Sequence, residues 1–212
     1  MLPGIADAEG LREAIRQQTE MMADLRLVAE MGLPQGCIAA GYIRNFVWDV
    51  LHGYTVRTPL QDADVLYFDP LCLDEEAEKA YDAKLRERNP RLNWSAKNQA
   101  RMHLRNGAAP YLSVEDAMKR WPETATAVGA RLDAEGEVEI LAPLGLADLL
   151  SLQVRQGPYF HDDAVFRQRV NGKAWLSRWP RLVLVEEEDG RHVAHAMIGN
   201  LRPVLTDSGD VK

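Results

Sequence analysis

The chain has 212 residues, enough for one ordinary domain or a domain with an appended subdomain. Apolar residues make up 46% and charged residues 27%, globular values that exclude a wholly disordered chain. A net charge of −7 argues against a protein that clings to long nucleic acid. No run approaches the roughly 18 apolar residues of a membrane helix. The N-terminus brings acids early and no apolar stretch, unlike a secretory signal. Two cysteines, Cys37 and Cys72, lack CxxC spacing, which excludes a zinc ribbon or a disulfide framework. The expected setting is soluble and cytoplasmic, with no membrane partner.

In chain order, Asp7 to Met31 has apolar residues near the 3.6 period (Leu11, Ile15, Met22, Leu25, Val28) and predicts a helix stopped by Gly32 and Pro34. Cys37 to Ala40 is a short apolar run closed by Gly41, a buried strand feeding a tight turn. Tyr42 to His52 follows as a helix ending at Gly53. The run from Asp62 to Asp69 predicts a second core strand. Asp74 to Arg88 is a charged helix, ended by Asn89-Pro90. Leu92 to Ala96 reads as a short strand and Asn98 to Leu104 as a helix. Ser113 opens another helix with a capping-box pattern.

Further on, Val128–Leu132 and Glu137–Leu141 flank the turn Asp133-Ala134-Glu135-Gly136, a hairpin signal. Leu146–Leu152 and Asp162–Arg178 read as helices, and Leu182–Val185 with His192–Met197 as a terminal hairpin. Alternating strands and helices in the first half make the class α/β or α+β. The predicted organisation is a core domain over residues 1–155 and a helix-and-hairpin extension over 156–212 packed on it.

The informative constellation is the turn at Gly41 followed twenty-one residues later by Asp62-x-Asp64 on the next strand. Residues i and i+2 of a strand share a face, so both carboxylates converge. Two such acids repel unless a cation sits between them, and a hard dication, Mg²⁺ or Mn²⁺, suits them. Beside a phosphate site, this arrangement fits phosphoryl or nucleotidyl transfer. Between Lys84 and Arg105, seven basic residues face one acid, Glu87, a local patch suited to a nucleoside triphosphate. Lys97, Arg101 and Arg105 would form one basic stripe on a helix, placed to hold phosphates. His103 lies off that stripe, and Trp94 and Tyr111 are candidates to stack a base.

The pattern Ala40-Gly41, helix, Asp62-x-Asp64 resembles the polymerase-β-like nucleotidyltransferase superfamily. The segments AGYIRNFVWDVLHG, TPLQDADVLYFDP, WSAKNQARMHLRNG, PYLSVEDAMKRWPETATAVGARL and EILAPLGLADLL resemble an uncharacterised bacterial family of nucleotidyltransferase-like proteins, from about Gly36 to Trp179. The resemblance implies a mixed sheet flanked by helices, metal on Asp62 and Asp64, and phosphate contacts at Gly41. The sequence departs from the pattern at Tyr42, where the superfamily has a second Gly or Ser, which makes Arg44 and Asn45 candidates to replace the missing contact. The superfamily's third acid matches Glu139 in Val138-Glu139-Ile140, on a strand beside that of the aspartates, with Asp69 and Asp49 as the substitutes. The implied activity is metal-dependent transfer of a nucleoside monophosphate from NTP to a hydroxyl of a small molecule or protein. A non-catalytic nucleotide binder on the same fold, its phosphate turn closed by Tyr42, is the alternative.

Overall fold

A computed structural model describes residues 4–188 and 191–196, with side chains through Val185. Five strands form the main sheet: β1 (Cys37–Ala39), β2 (Ala63–Tyr67), β3 (Trp94–Asn98), β4 (Gly129–Leu132) and β5 (Val138–Leu141). Their order is β3-β2-β1-β4-β5. The β2–β3 pair is parallel, and the other pairs are antiparallel. The expected mixed sheet is therefore present, with the strand carrying Asp64 next to the centre.

Period-two alternation decides which strand residues meet which layer. Ala63, Val65 and Tyr67 of β2 join Ile38, Trp94, Ala96 and Ala130 in the main apolar core. That core also takes Leu11 and Ile15 of α1 (Ala8–Arg16), Met21, Leu25 and Val28 of α2 (Thr19–Glu30), and Leu85 of α4 (Glu75–Arg88). On the opposite face, Leu66, Cys37, Ala39 and Leu141 pack with Val114 and Met118 of α6 (Val114–Met118). Asp64, two residues before Leu66, lies on that second face where the covering layer ends. The alternation thus puts one carboxylate at the edge of an apolar layer.

The remaining elements are α3 (Gly41–Leu51), α5 (Gln99–Asn106), a 3₁₀ turn Thr124–Thr126, α7 (Ala147–Leu150), β6 (Gln153–Arg155), α8 (Asp163–Gly172), α9 (Trp175–Arg178), β7 (Val183–Glu188) and β8 (Arg191–Ala196). β6 pairs in parallel with β7, and β7 pairs antiparallel with β8. Several elements differ from the sequence reading. The single helix over Asp7–Met31 is two helices, because Gln18 takes an extended backbone that lets each helix bury its own apolar face. The helix over Asp162–Arg178 breaks at Ala174, whose φ of 53° is left-handed. The strand at Leu92–Ala96 is shifted to Trp94–Asn98, and β6 has no counterpart in the sequence reading. The terminal hairpin is present as β7 and β8; its predicted last residue, Met197, lies outside the described residues, as does the rest of the extension through Lys212.

Candidate functional site

A cavity of about 870 Å³ opens over the second face of the sheet, with Asp62, Asp64, Leu66, Ser95 and Lys97 among its lining residues. Strand pairing sets Asp64 between Ala39 of β1 and Ser95 of β3. Asp62 immediately precedes β2 and is exposed, whereas Asp64 is partly buried. Burial pushes the Asp64 carboxyl up to about 6, and the neighbouring Asp62 charge adds to the rise. Arg44, Lys173 and Lys97 pull in the opposite direction. The two aspartates therefore form a repelling pair at the cavity wall with three cations around it. Among the described residues no cluster of three or more His, Cys, Asp or Glu side chains is placed to hold a metal.

The N-terminus of α3 supplies the wall next to the aspartates. Ala40 precedes it with φ 54° and ψ −126°, a left-handed conformation costly for a residue with a Cβ. Two hydrogen bonds hold that turn: Ala40 N–H donates to the Val128 carbonyl (2.9 Å), and the Ala40 carbonyl accepts from Arg44 N–H (2.9 Å). No side chain caps the helix, so its first-turn N–H groups are left for another acceptor. A Cβ built on Gly41 would come no closer than 3.6 Å to any neighbour, at Arg44 Nη2. Protein packing therefore does not require glycine here; its missing side chain keeps the cavity open at the helix start.

Tyr42 turns away from the cavity. Its hydroxyl donates to Asp24 Oδ2 at 2.6 Å in the core, and Asp24 also accepts from Asn89 Nδ2 at 2.7 Å. The departure at Tyr42 thus leaves the turn at Gly41 open to the cavity, and the residue anchors the start of α3 from behind. Arg44 and Asn45 both line the cavity. The Arg44 guanidinium, 6% exposed, donates to Asn45 Oδ1 (2.8 Å) and Thr126 Oγ1 (2.8 Å). It lies 4.4 Å from the Trp175 ring centroid and 4.9 Å from that of Trp48. Among the described residues no carboxylate is within ion-pair distance of it. Burial lowers its pKa to about 10. A buried cation held by amide, hydroxyl and aromatic groups retains its charge for an anion in the cavity.

The expected Lys97–Arg101–Arg105 stripe does not exist. Lys97 belongs to β3, in register with Leu66, and Asn98 ends the strand while capping α5 through Ala100 N–H. The cause is the strand shift noted above. Lys97 lines the cavity with Nζ 3.4 Å from Glu78 Oε2. Arg101 is occupied elsewhere, donating from Nε and Nη2 to the two oxygens of fully buried Glu78 at 2.7 and 2.9 Å. Arg105 does line the cavity, at its α5 end.

Glu139 stands outside the site. β5 is the far edge of the sheet, three strands from β2, so at about 4.8 Å per strand it lies some 14 Å away. Its carboxylate takes a two-point contact from Arg131, at 2.6 and 3.0 Å. The expectation that its strand lies beside that of Asp62 and Asp64 is corrected by the sheet order. Asp49 holds Thr58 and Trp179 Nε1, Asp69 caps a turn at Leu71, and Trp94 is core, its Nε1 donating to the Asn89 carbonyl. His103 contacts the Ala100 carbonyl, while Tyr111 reaches the cavity.

Sequence reasoning missed the opposite wall. The loop Tyr159–Asp162, Arg169 and Lys173 of α8 and its C-cap, and Trp175 and Arg178 of α9 all line the cavity. Arg169 and Lys173 stand four apart, the same spacing that drew attention to Lys97 and Arg101, and a search for that spacing past residue 155 would have found them.

A nucleotidyltransferase family model matches residues 26–184. A structure solved by NMR, described as a CCA-adding enzyme head domain, is 35% identical with a TM-score of 0.77, covering 87% of this chain and 98% of that one. A tRNA nucleotidyltransferase complexed with a primer tRNA and an incoming ATP analogue is 17% identical, with a TM-score of 0.47 over 74% of this chain and 45% of that one. A Thermotoga maritima CCA-adding enzyme complexed with tRNA is 13% identical, with a TM-score of 0.44 over 83% of this chain and 48% of that one. The chain thus spans less than half the length of these last two proteins. No curated protein matches it.

Proposed function

The chain belongs to the nucleotidyltransferase family of the polymerase-β-like superfamily, and on that premise we propose that it transfers a nucleoside monophosphate from an NTP to a hydroxyl of a small molecule or protein. One observation carries the reading: the converging Asp62 and Asp64 carboxylates share a cavity with an uncapped helix N-terminus and a buried guanidinium that has no carboxylate partner among the described residues. Asp62 and Asp64 fit a hard dication, Mg²⁺ or Mn²⁺, because two carboxylates suit an ion that completes its shell with water and phosphate oxygens. Burial first and the Asp62 charge second raise the pKa of Asp64, and a cation bound there would offset both. Bound there, the ion would polarise the transferring phosphate and offset its growing charge.

The chain's own residues have separate tasks. First-turn N–H groups of α3, with Arg44 and Asn45, receive triphosphate oxygens. Lys97 and Lys173 flank Asp64 and steady the pyrophosphate. The acceptor's hydroxyl oxygen bonds to the α-phosphorus as the bond to the α,β-bridging oxygen breaks. Pyrophosphate leaves with that electron pair, and the hydroxyl proton passes to a site carboxylate or to water. The test compares melting of the wild type and Asp64→Asn with each NTP, with and without Mg²⁺ or Mn²⁺. Occupancy at 100 times Kd adds about 2.7 kcal/mol to the wild type. An undiminished metal response in the variant removes the pair from the ligand set.

Among the described residues no third carboxylate joins the pair in a metal-holding cluster, which favours a second reading, a nucleotide binder without transfer. Pyrophosphate release above the Asp62→Asn background decides between them.

A further inference from the structure

The cavity is larger and more cationic than a triphosphate needs. At about 870 Å³ it is near the top of the roughly 300–1,000 Å³ range of sites that hold one small ligand. The charges that act on Asp64 are Asp62, Arg44, Lys173 and Lys97, which defines the phosphate-transfer end. From there the cavity follows β2 past Leu66, about 7 Å along the strand, to a second end lined by Met102, Arg105, Asn106, Tyr111 and Arg120.

That second end is built. Tyr111 is buried against Met102 and Ala117, and its hydroxyl accepts from Asn106 Nδ2 at 2.9 Å. The Arg120 guanidinium lies 5.5 Å from the Tyr111 ring centroid, and the one carboxylate paired with it among the described residues, Asp116, is 3.6 Å away. Arg120 Nε is buried without a hydrogen-bond partner among the described residues, so stacking on Tyr111, more than charge pairing, holds this side chain. Arg105 is exposed and has no ion pair among the described residues. Two guanidiniums with one long carboxylate contact are thus left facing a cavity in a chain of net charge −7.

We propose that the α5–α6 end of the cavity is the acceptor subsite and that the acceptor is a small hydroxyl compound bearing its own oxyanion, a phosphate or carboxylate, gripped by Arg105 and Arg120. This rests on the nucleotide reading above. The planar guanidinium fork matches either oxyanion with two hydrogen bonds, and Tyr111 fixes the direction of one fork. Two guanidiniums, one of them over a single ring, mark a point of attachment. A track for a nucleic-acid strand would repeat its cations and aromatic platforms along a groove.

The experiment saturates the protein with Mg²⁺ and a non-hydrolysable analogue of the NTP that stabilises it best, then titrates glycerol 3-phosphate, glycerate and glycerol by calorimetry. Filling the triphosphate end first keeps the probes out of it. Expected is binding of glycerol 3-phosphate or glycerate but not glycerol, weakened about tenfold or more by Arg105→Gln and by Arg120→Gln, and more than either weakens the analogue. Arg120→Lys restores part of the loss. Arg105 is exposed, so its variant remains informative if Arg120→Gln fails to fold. Equal binding of all three probes, no binding of any, or indifference to both substitutions overturns the proposal. Binding of a short RNA with a free 3′ hydroxyl, in preference to the small probes and with the same arginine dependence, also overturns it. Failure of every NTP analogue to bind is seen before the titration and overturns the nucleotide reading, and this one with it.

Discussion

Asp64 is placed where charge is useful to a ligand and costly to the empty protein. Its folded pKa of about 6 lies above the 3.8 expected of the unfolded chain, so between those values the folded state holds a proton the unfolded state has lost. Stability therefore falls as pH rises through that window, by about 3 kcal/mol at most, and stays low above it. Asp64→Asn cannot ionise, and is expected to stabilise the metal-free protein by about 1–3 kcal/mol at pH 7–8 with little gain below pH 4. Urea melts of both proteins across pH 4–8 measure this. A variant that is equally or less stable than wild type at both ends would show that carboxylate burial is not the cause. The position of Asp64 was legible in the sequence because a period-two strand leaves little freedom about which residues share a face. The way Tyr42 points was not: it depends on Asp24 and Asn89, 18 and 47 residues away, meeting behind α3.

At the scale of elements, local signals served well and pairing signals did not. Asp74 and Ser113 cap their helices by accepting from Glu76 and Asp116 N–H groups, and the turn at Asp133–Gly136 joins β4 to β5, all from nearest-neighbour chemistry. Sheet order is a long-range property, and it carries Glu139 to the far edge, where Arg131 covers it. Glu139→Gln is accordingly expected to leave pyrophosphate release within about twofold of wild type and to cost no more than about 1 kcal/mol, the scale of a partly exposed ion pair. A rate loss of a hundredfold would return it to the mechanism. Arg101 is the converse case. Burial pushes the Glu78 carboxyl up, but hydrogen bonds from Arg101 and Asn98 N–H with the charges of Arg101 and Lys97 outweigh this and leave it below the usual range. This contact ties α4 to β3 and α5, so Arg101→Ala strands a carboxylate that is 0% exposed. The expected cost is about 3 kcal/mol, softened by Lys97, and it is read in a denaturant melt. Full stability with weakened nucleotide binding would instead make Arg101 a phosphate ligand.

Across the whole molecule, the described part of the extension expected over residues 156–212 is bound into both the core and the cavity, which bears on whether residues 1–155 fold alone. Trp175 and Trp179 pack edge-on against Trp48 of α3, with centroids 5.7 and 5.1 Å apart, and Trp179 Nε1 donates to Asp49 at 2.8 Å. Arg169 covers buried Glu123 with a 2.7 Å contact, and Phe166 and Val170 of α8 complete the same apolar cluster. A cut after Arg155 would also strip β6 of its parallel partner β7. Sequence periodicity showed helices here, but no local pattern told that their tryptophans close over α3, the helix whose start lines the cavity. Fragment 1–155 is therefore expected not to unfold cooperatively, exposing Trp48 and leaving Glu123 without its cation. In the full chain, Trp179→Ala is expected to cost about 3–5 kcal/mol, since it empties a fully buried site. Near-ultraviolet circular dichroism and urea melts of fragment and variant measure both. A fragment with native-like aromatic dichroism and a sharp transition would mean that residues 156–212 only cover a finished core, and that Lys173 and Trp175 join the cavity after folding is complete.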